Sequence, residues 1–365
     1  MLITLILMIA AMAAGILIFL QRPQFGQLPA GKRQLSIENS PNYADGEFQN
    51  LLPTPTLENS KGFFAATIEY LFAKKDRLVP DRPVPVIKTD LKSLDRKQDL
   101  MIWLGHSSYF IQLGGRTILI DPVFSDYASP VSFANKAFPG TNLYSASDMP
   151  EIDYLLISHD HWDHLDYPTI MALKTKIGRV ITGLGVGAHF ERWGFSPETI
   201  LEADWNTELI FDGLTVHALP ARHFSGRSLT RNRTLWLAFA LITTERRIFF
   251  SGDSGYGPHF KDIGGKFDGF NLVALDTGQY DDGWPYVHMK PEEAIRAAED
   301  LKAMVLLPSH IGRFSIANHS WDDPFIRIKD ASENKAYQLI TPLIGEPVYL
   351  NGTDKDYPRW WESLQ

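Results

Sequence analysis

The chain has 365 residues, enough for one large domain or two small ones, and its 44% hydrophobic content is that of a folded protein, which excludes disorder throughout. A formal net charge of -8 and a pI near 5.8 provide no long-range attraction for polyanions, so no nucleic-acid partner is expected. Cysteine is absent, which removes disulfides and thiolate metal sites and leaves His, Asp and Glu as the usual ligands for a transition metal.

Residues 1–20 are almost continuously apolar and carry no charged side chain, and a helix of about 20 such residues matches the hydrocarbon core of a bilayer. A transmembrane anchor is predicted. A cleaved signal peptide competes with it, since residues 10–14 are mostly small, but the basic region that precedes such a segment is missing. Arg22, Lys32 and Arg33 follow the apolar run, so the positive-inside bias places the body of the protein on the cytoplasmic side. Residues 21–96, rich in Pro, Asn and charge, read as a leader that wraps onto the main domain. Within it a helix over 62–75 is predicted from Phe64, Ile68, Leu71 and Phe72. Docking on the protein's own core accounts for that stripe better than membrane contact does, because Lys74 and Lys75 are too few to hold a membrane surface.

From Leu100 the pattern changes to short β-rich runs at 101–104, 109–113 and 117–120, the last two separated by a Gly114-Gly115 turn. Further strands are predicted at 154–157, 180–182, 214–218, 235–243, 247–250, 272–275, 304–307 and 348–350, with helices at 167–176 and 291–301 between them. Hairpins mixed with βα units suit an α/β fold of the αββα sandwich kind, two sheets with helices outside, over residues 97–351, followed by a C-terminal tail at 352–365.

The run 154–157 reads as a buried strand, and Ser158-His159-Asp160-His161-Trp162-Asp163-His164 follows its C-terminal end, where side chains can converge on an open crevice. Imidazole and carboxylate without thiolate suit zinc or a similar borderline metal, and manganese or iron would satisfy the same ligands. A solvated polar loop is the plain alternative, but crowding so many histidines and acids into seven residues has no folding rationale.

This segment resembles the H-x-H-x-D-H signature of the metallo-β-lactamase superfamily. Within it the chain is most similar to the N-acyl-phosphatidylethanolamine phospholipase D group, through Trp103-Leu104-Gly105-His106-Ser107, Asp121-Pro122-Val123-Phe124-Ser125, Pro220-Ala221-Arg222-His223-Phe224, Gly252-Asp253-Ser254-Gly255-Tyr256 and His288-Met289-Lys290-Pro291-Glu292-Glu293-Ala294. The resemblance implies two Zn2+ ions: His159, His161 and His223 on one, Asp163, His164 and His310 on the other, and Asp253 between them. It implies hydrolysis by a metal-bridging hydroxide, since two such ions lower the pKa of a shared water and stabilise the entering and leaving oxygens. Asp163 would orient that nucleophile, and His288 would hand a proton to the leaving group or act as a supporting hydrogen-bond partner. His106, Asp160 and Asp121 are expected to support ligands and turns.

The resemblance further implies a phospholipase D-type phosphodiesterase acting on N-acyl-phosphatidylethanolamine-like membrane phospholipids. Hydrolysis of a sugar-phosphate or other lactone is the alternative, and a non-catalytic membrane scaffold would have lost ligands, whereas all seven positions are filled. An oxygen-reducing di-iron role is disfavoured because His161 stands where an acid is usual. Arg222, Arg227, Arg231 and Arg233 form a basic concentration around His223 that reads equally as a phosphate contact or as a solvated loop. Tyr127, Phe133, Phe138 and Tyr144 precede the metal motif and either line its entrance or pack on the sandwich. Arg313, in Ile311-Gly312-Arg313-Phe314, departs from the phospholipase pattern and is expected to meet a substrate anion, as are Arg227 and, with the lipid's apolar part, Tyr127.

Overall fold

The computed structural model describes residues 2–55, 76–351 and 355–364, and the helix predicted over 62–75 lies outside the described residues. The first element, α1 (Leu2–Leu20), has no residue buried against the rest of the chain. At a rise of about 1.5 Å per residue it spans about 28 Å, and it is long and apolar enough to cross a membrane. Beyond it, a short turn at Pro23–Phe25, helix α2 (Gly31–Glu38) and the hairpin β1 (Tyr43–Ala44) with β2 (Glu47–Phe48) are seated on the main body. Trp193 Nε1 donates to the Pro23 carbonyl at 2.7 Å, Arg33 pairs with Glu191 and Glu202, and the Phe48 amide donates to the Asn232 carbonyl at 2.8 Å.

Two seven-stranded sheets make the body. The first contains β3 (Leu100–Trp103), β4 (Tyr109–Leu113), β5 (Arg116–Ile120), β6 (Ile152–Ile157), β7 (Ile177–Gly183), β8 (Ile200–Ala203) and β16 (Pro347–Tyr349), in the order β16-β3-β4-β5-β6-β7-β8. The second contains β9 (Glu208–Phe211), β10 (Leu214–Leu219), β11 (Ala238–Ile242), β12 (Arg247–Phe250), β13 (Leu272–Asp276), β14 (Val305–Ser309) and β15 (Gln338–Leu339), in the order β15-β14-β13-β12-β11-β10-β9. Each sheet is antiparallel on one side and parallel on the other, and β5 and β12 are the strands where the pairing changes.

The period-two alternation of the strands builds the layers. Met101, Trp103, Tyr109 and Ile111 point into the core between the sheets, while Leu100, Ile102 and Phe110 point outward. There they meet α3 (Tyr167–Leu173) and α4 (Gly187–Arg192) through Ile170, Leu173 and Phe190. On the second sheet α5 (His259–Phe267), α6 (Pro291–Asp300) and α7 (Asp323–Ala331) supply Phe260, Ile295, Ala298 and Phe325 to the opposite outer layer. Near the C-terminus Trp360 and Trp361 are buried against Phe325, with ring centroids 4.8 and 5.0 Å away. The fold is the αββα sandwich.

The predicted strand over 235–243 is shorter in the structure. Leu235, Trp236 and Leu237 are buried but run between the sheets, where the Leu235 amide donates to the Leu184 carbonyl and the Leu237 amide to that of Ser158. Burial makes the whole run apolar, and composition does not distinguish a ladder from a bridging segment. The strands β8, β9 and β15 and the helix α4, only two to six residues long, carry too few periodic positions to be read in advance, and α5 and α7 are further elements beyond those predicted.

Phe249 sits between the second sheet and its helices, with ring centroids 6.3 Å from Phe260 and 5.4 Å from Phe270. Truncation to alanine removes the ring and leaves a cavity that rigid neighbours cannot fill. Phe249→Ala should lower stability by about 3–5 kcal/mol, measured as a shift in the denaturant midpoint at constant slope.

Candidate metal centre

The site lies where strands of both sheets end. Asp121 follows β5, residues 158–164 follow β6, His223 lies beyond β10, Asp253 beyond β12, Asp276 closes β13, and His310 follows β14. His106 comes from the turn between β3 and β4. His106, Asp121 and His310 all have positive φ, at 55°, 42° and 62°, a conformation uncommon for residues with a Cβ and held only where surrounding contacts impose it. Gly252, at φ 56°, delivers Asp253, and a Cβ there would stand 2.7 Å from the Leu237 carbonyl oxygen.

Among the described residues three groups of ligand-type side chains converge, the ligand atoms of each lying within 4.8 Å of one another; two face each other, and the third joins Asp253 and His310 to Asp276 and His288. In the first, His161 Nδ1 is 3.0 Å from His159 Nε2 and 3.2 Å from His223 Nε2, and Asp253 Oδ2 is 3.7 Å from each of the latter two nitrogens. In the second, Asp163 Oδ2 is 3.0 Å from His106 Nε2, 3.1 Å from His310 Nε2 and 3.5 Å from His164 Nε2. Asp253 Oδ1 reaches this second group, at 3.1 Å from His164 Nε2 and 2.9 Å from His310 Nδ1. The two oxygens of one carboxylate therefore address different groups.

Hydrogen bonds behind the rings assign the tautomers. His223 Nδ1 donates to the Val287 carbonyl at 2.9 Å, and His164 Nδ1 donates to Asp121 at 2.9 Å. His159 Nδ1 donates to Ser158 Oγ at 2.9 Å, which in turn donates to Asp121 at 2.5 Å. In each ring the other nitrogen then presents a lone pair to the group, as metal-ligating histidines do. Two lone pairs, on His159 and His223, thus crowd one nitrogen of His161, whose single proton could satisfy only one of them. A cation would satisfy all three.

Electrostatics agree with that reading for His159, His161 and His223, whereas His164 and His310 are drawn toward the protonated form by carboxylates whose charge a cation would otherwise neutralise. Burial, helped by the neighbouring imidazoles, holds His159 and His223 well below the ordinary histidine range. Burial lowers His161 to about 4, with nearby carboxylates opposing, and His106 to about 3. Burial opposes charge on His164 and His310 as well, yet Asp253 with Asp163 at His164, and with Asp276 at His310, outweighs it and raises both well above the ordinary value. The Asp163 and Asp253 carboxyls, despite burial, are pushed well below the usual carboxylate range by His164 and its neighbours. Among the described residues, His164 Nε2, His310 Nδ1 and Asp253 Oδ1 are buried without a hydrogen-bond partner although they stand at contact distance. Such convergence without hydrogen-bond geometry fits side chains aimed at a shared ion.

A cavity of about 300 Å³ opens over these groups. His161, Asp163, Asp253, His288 and His310 form its polar floor, and Phe224, Trp284, Val287 and Ile316 its apolar walls, with Arg231 and Gln279 at the edge. His288 Nδ1 donates to Asp276 at 2.8 Å, which orients its ring toward this space.

The structure brings His159, His161, Asp163, His164, His223, Asp253, His288 and His310 together. It does not bring Arg227, Arg313 and Tyr127 to that cavity. Arg313 is buried and donates to the Leu104 and Ser125 carbonyls and to Asn142 Oδ1. Arg227 donates to the carbonyls of Gln24, Asp160 and Leu165 and lies 4.1 Å over the Trp162 ring. Tyr127 pairs through its backbone with Lys136, while Phe138 and Tyr144 are buried and Phe133 is exposed. Both arginines serve carbonyls that loops leave without a ladder partner, a demand that sequence does not display. One site member, Asp276, escaped the sequence reading, and another, His106, was expected there only as a support. His106 stands nearer to Asp163 than His164 does, and Asp276 orients His288; the first had a mark in its Gly-His-Ser turn, the second only the apolar strand before it.

Residues 116–311, more than half of the chain, match the family model described as "Beta-lactamase superfamily domain". An uncharacterized protein of Mycobacterium tuberculosis is 37% identical over 328 residues, which cover 89% of this chain and 88% of that one. The N-acyl-phosphatidylethanolamine-hydrolyzing phospholipase D 1 of Caenorhabditis elegans is 29% identical over 290 residues, covering 74% and 82%. The outer membrane protein RomA of Klebsiella pneumoniae is 57% identical over 102 residues, 28% of this chain and 77% of that protein. Among solved structures, the metallo hydrolase Igni18 of Ignicoccus hospitalis shares the fold at a TM-score of 0.53 and 19% identity, covering 69% of this chain and 97% of that one. The di-iron β-hydroxylase CmlA of Streptomyces venezuelae shares it at 0.53 and 18%, covering 69% and 54%. Fold, family model and converging His and Asp groups agree: the chain belongs to the beta-lactamase superfamily and is a metallo-hydrolase of the metallo-β-lactamase fold.

Proposed function

We propose that this protein is a membrane-anchored phosphodiesterase with two metal ions, which cleaves an N-acyl-phosphatidylethanolamine-like phospholipid on the head-group side of its phosphate. The observation that carries the reading is Asp253, whose two oxygens face separate ligand groups beneath an apolar-walled cavity. His159, His161 and His223 would hold one ion, and Asp163, His164 and His310 the other. Two divalent ions, zinc on this donor set, would supply a water of low pKa and the positive charge that a displacement at phosphorus requires.

The chain's own residues do the rest. Asp163, held by His106 and His310, would orient the attacking water, and Asp121 keeps His159 and His164 in the tautomers that ligation needs. His288, fixed by Asp276 and facing the cavity, would give a proton to the leaving oxygen. Phe224, Trp284, Val287 and Ile316 exclude water and accept apolar parts of the substrate. The apolar helix α1, the name of the worm relative and the name of the Klebsiella relative support work at a membrane. The basic residues after α1 favour a cytoplasmic body, and protease protection of the C-terminal end in intact cells tests that orientation.

Purified protein should carry close to two transition-metal ions by elemental analysis, and His161→Ala or Asp253→Ala should abolish hydrolysis while the circular dichroism of the fold persists. A metal-free, fully active preparation would refute the mechanism. His288→Gln should lower kcat by about 10²–10⁴ with metal content unchanged; loss of metal instead would make His288 a ligand. Incubated with a bacterial lipid extract, the enzyme should release phosphatidate-type and amine-containing products by mass spectrometry, whereas turnover confined to a lactone panel would replace the phosphodiesterase reading with a lactonase. Deleting residues 1–20 should free the protein from membranes and spare turnover of a soluble phosphodiester.

A further inference from the structure

A second cavity, of about 230 Å³, lies at the foot of α1. Its walls come from Leu20 and Gln21 on one side and from Arg192, Arg227 and Arg233 on the other, with the buried Asp160 behind. The acid is already committed: Asp160 accepts from His189 at 3.1 Å, from the Gly226 amide at 2.7 Å and from Thr234 at 2.9 Å. Arg227 is committed too, to backbone carbonyls. Arg192 is committed only in part, its Nη2 donating to the Gln21 carbonyl at 3.0 Å, and Arg233 makes no such bond among the described residues. Among the described residues neither pairs with a carboxylate, and Arg233 Nε is buried without a hydrogen-bond partner. Three guanidinium groups against one satisfied acid leave the cavity with an excess of positive charge, and a buried, unspent N–H calls for an acceptor.

The place of this cavity says where the acceptor comes from. If α1 crosses a bilayer, Leu20 and Gln21 lie at its end, at the depth of lipid phosphates. The loop that forms the outer wall carries Ser228 and Thr230 on the cavity, and between them Leu229 is 84% exposed, an apolar side chain suited to dip among acyl chains. The cavity also adjoins the metal loop. Arg227 bonds the carbonyls of Asp160 and Leu165 at either end of it, and Phe25 stacks edge-on to both Phe19 of α1 and Trp162, with ring centroids 5.1 Å apart in each pair.

We propose that this cavity binds the phosphate of an anionic membrane phospholipid through Arg192 and Arg233, as a site separate from the one where substrate is cleaved. The inference rests on the membrane-anchored reading of residues 1–20. A lipid phosphate held here seats the body against the bilayer and fixes the wall that Arg227 shares with the metal loop, so that the catalytic cavity is presented to the lipid surface.

The full-length protein is reconstituted into vesicles of phosphatidylcholine alone and of phosphatidylcholine mixed with phosphatidylglycerol, then extracted in mild detergent and weighed by native mass spectrometry. Wild type should retain one phosphatidylglycerol and favour it over phosphatidylcholine. The Arg192→Gln, Arg233→Gln double variant should bind it about tenfold more weakly, the loss expected on removing charge-assisted contacts, and Arg233→Lys should recover part of it. Ser228→Asp, which keeps both arginines and adds a negative charge at the rim, should give the same loss, and metal content equal to wild type shows that each variant is folded. Equal retention by wild type and double variant, or no preference for the anionic lipid, overturns the proposal. Inorganic phosphate that raises the Tm of wild type but not of the double variant, with no phosphatidylglycerol retained, assigns the cavity to free phosphate and overturns the lipid source. Flotation separates the two readings: a chain that fails to float with phosphatidylcholine vesicles overturns the anchor together with the cavity, whereas one that floats without selecting the anionic lipid overturns the cavity alone.

Discussion

The metal loop is organised by one buried carboxylate that touches no substrate. Asp121 accepts from the Ser158 amide at 2.8 Å, from Ser158 Oγ at 2.5 Å and from His164 Nδ1 at 2.9 Å, and through Ser158 Oγ it also governs His159. It does so at a φ of 42°, where a β-strand residue would have turned its side chain elsewhere. With Asp121 in place both rings hold their Nδ1 protons away from the centre and their lone pairs toward it. Histidines free to choose their tautomer would share protons among themselves, and the convergence would lose its affinity for a cation.

The same demand explains why the centre lies between sheets rather than on one. A group of imidazoles and carboxylates this dense is unfavourable in a dry interior unless charge is neutralised within it. The first sheet supplies Asp121 and residues 158–164, and the second supplies His223, Asp253, Asp276 and His310. Packing the two sheets face to face through Trp103, Tyr109, Phe239 and Phe250 therefore sets the distance between half-sites. Asp253 is the residue that spans it, with one oxygen toward each group. Catalytic geometry and core packing are in this sense one constraint.

The side at the foot of α1 is built differently. Arg227, 4% exposed, ties the start of the body to the metal loop through carbonyls of Gln24, Asp160 and Leu165, and its guanidinium lies over Trp162. Arg313 does comparable work beside Leu104 and Ser125. Both were read from sequence as contacts for a substrate anion, because an arginine near a motif histidine advertises charge. In the fold they neutralise carbonyl dipoles instead, while Arg233, whose Nε has no such partner, carries unspent charge beside Arg192.

Much of the architecture was legible in advance. Short β-rich runs at 101–104 and 109–113 marked strands that the fold buries on both faces, and the continuous apolar run at 154–157 marked the strand that delivers the histidine loop. The spacing of His159, His161, Asp163 and His164 is local and fixes which side chains can converge from one turn, so sequence sufficed to read it. The pairing of those residues with His223, Asp253 and His310 was carried by resemblance, which also gave His106 a supporting role, and the partnership of Asp276 with His288 was not visible at all. These contacts join residues far apart in the chain, and nothing in local composition encodes which strand end will lie opposite which. The sequence by itself determined the elements, the donor chemistry and the apolar N-terminal helix. Only the tertiary structure decided which arginines are spent on carbonyls and which donors share a centre, because both depend on long-range packing that satisfies buried polar groups one against another.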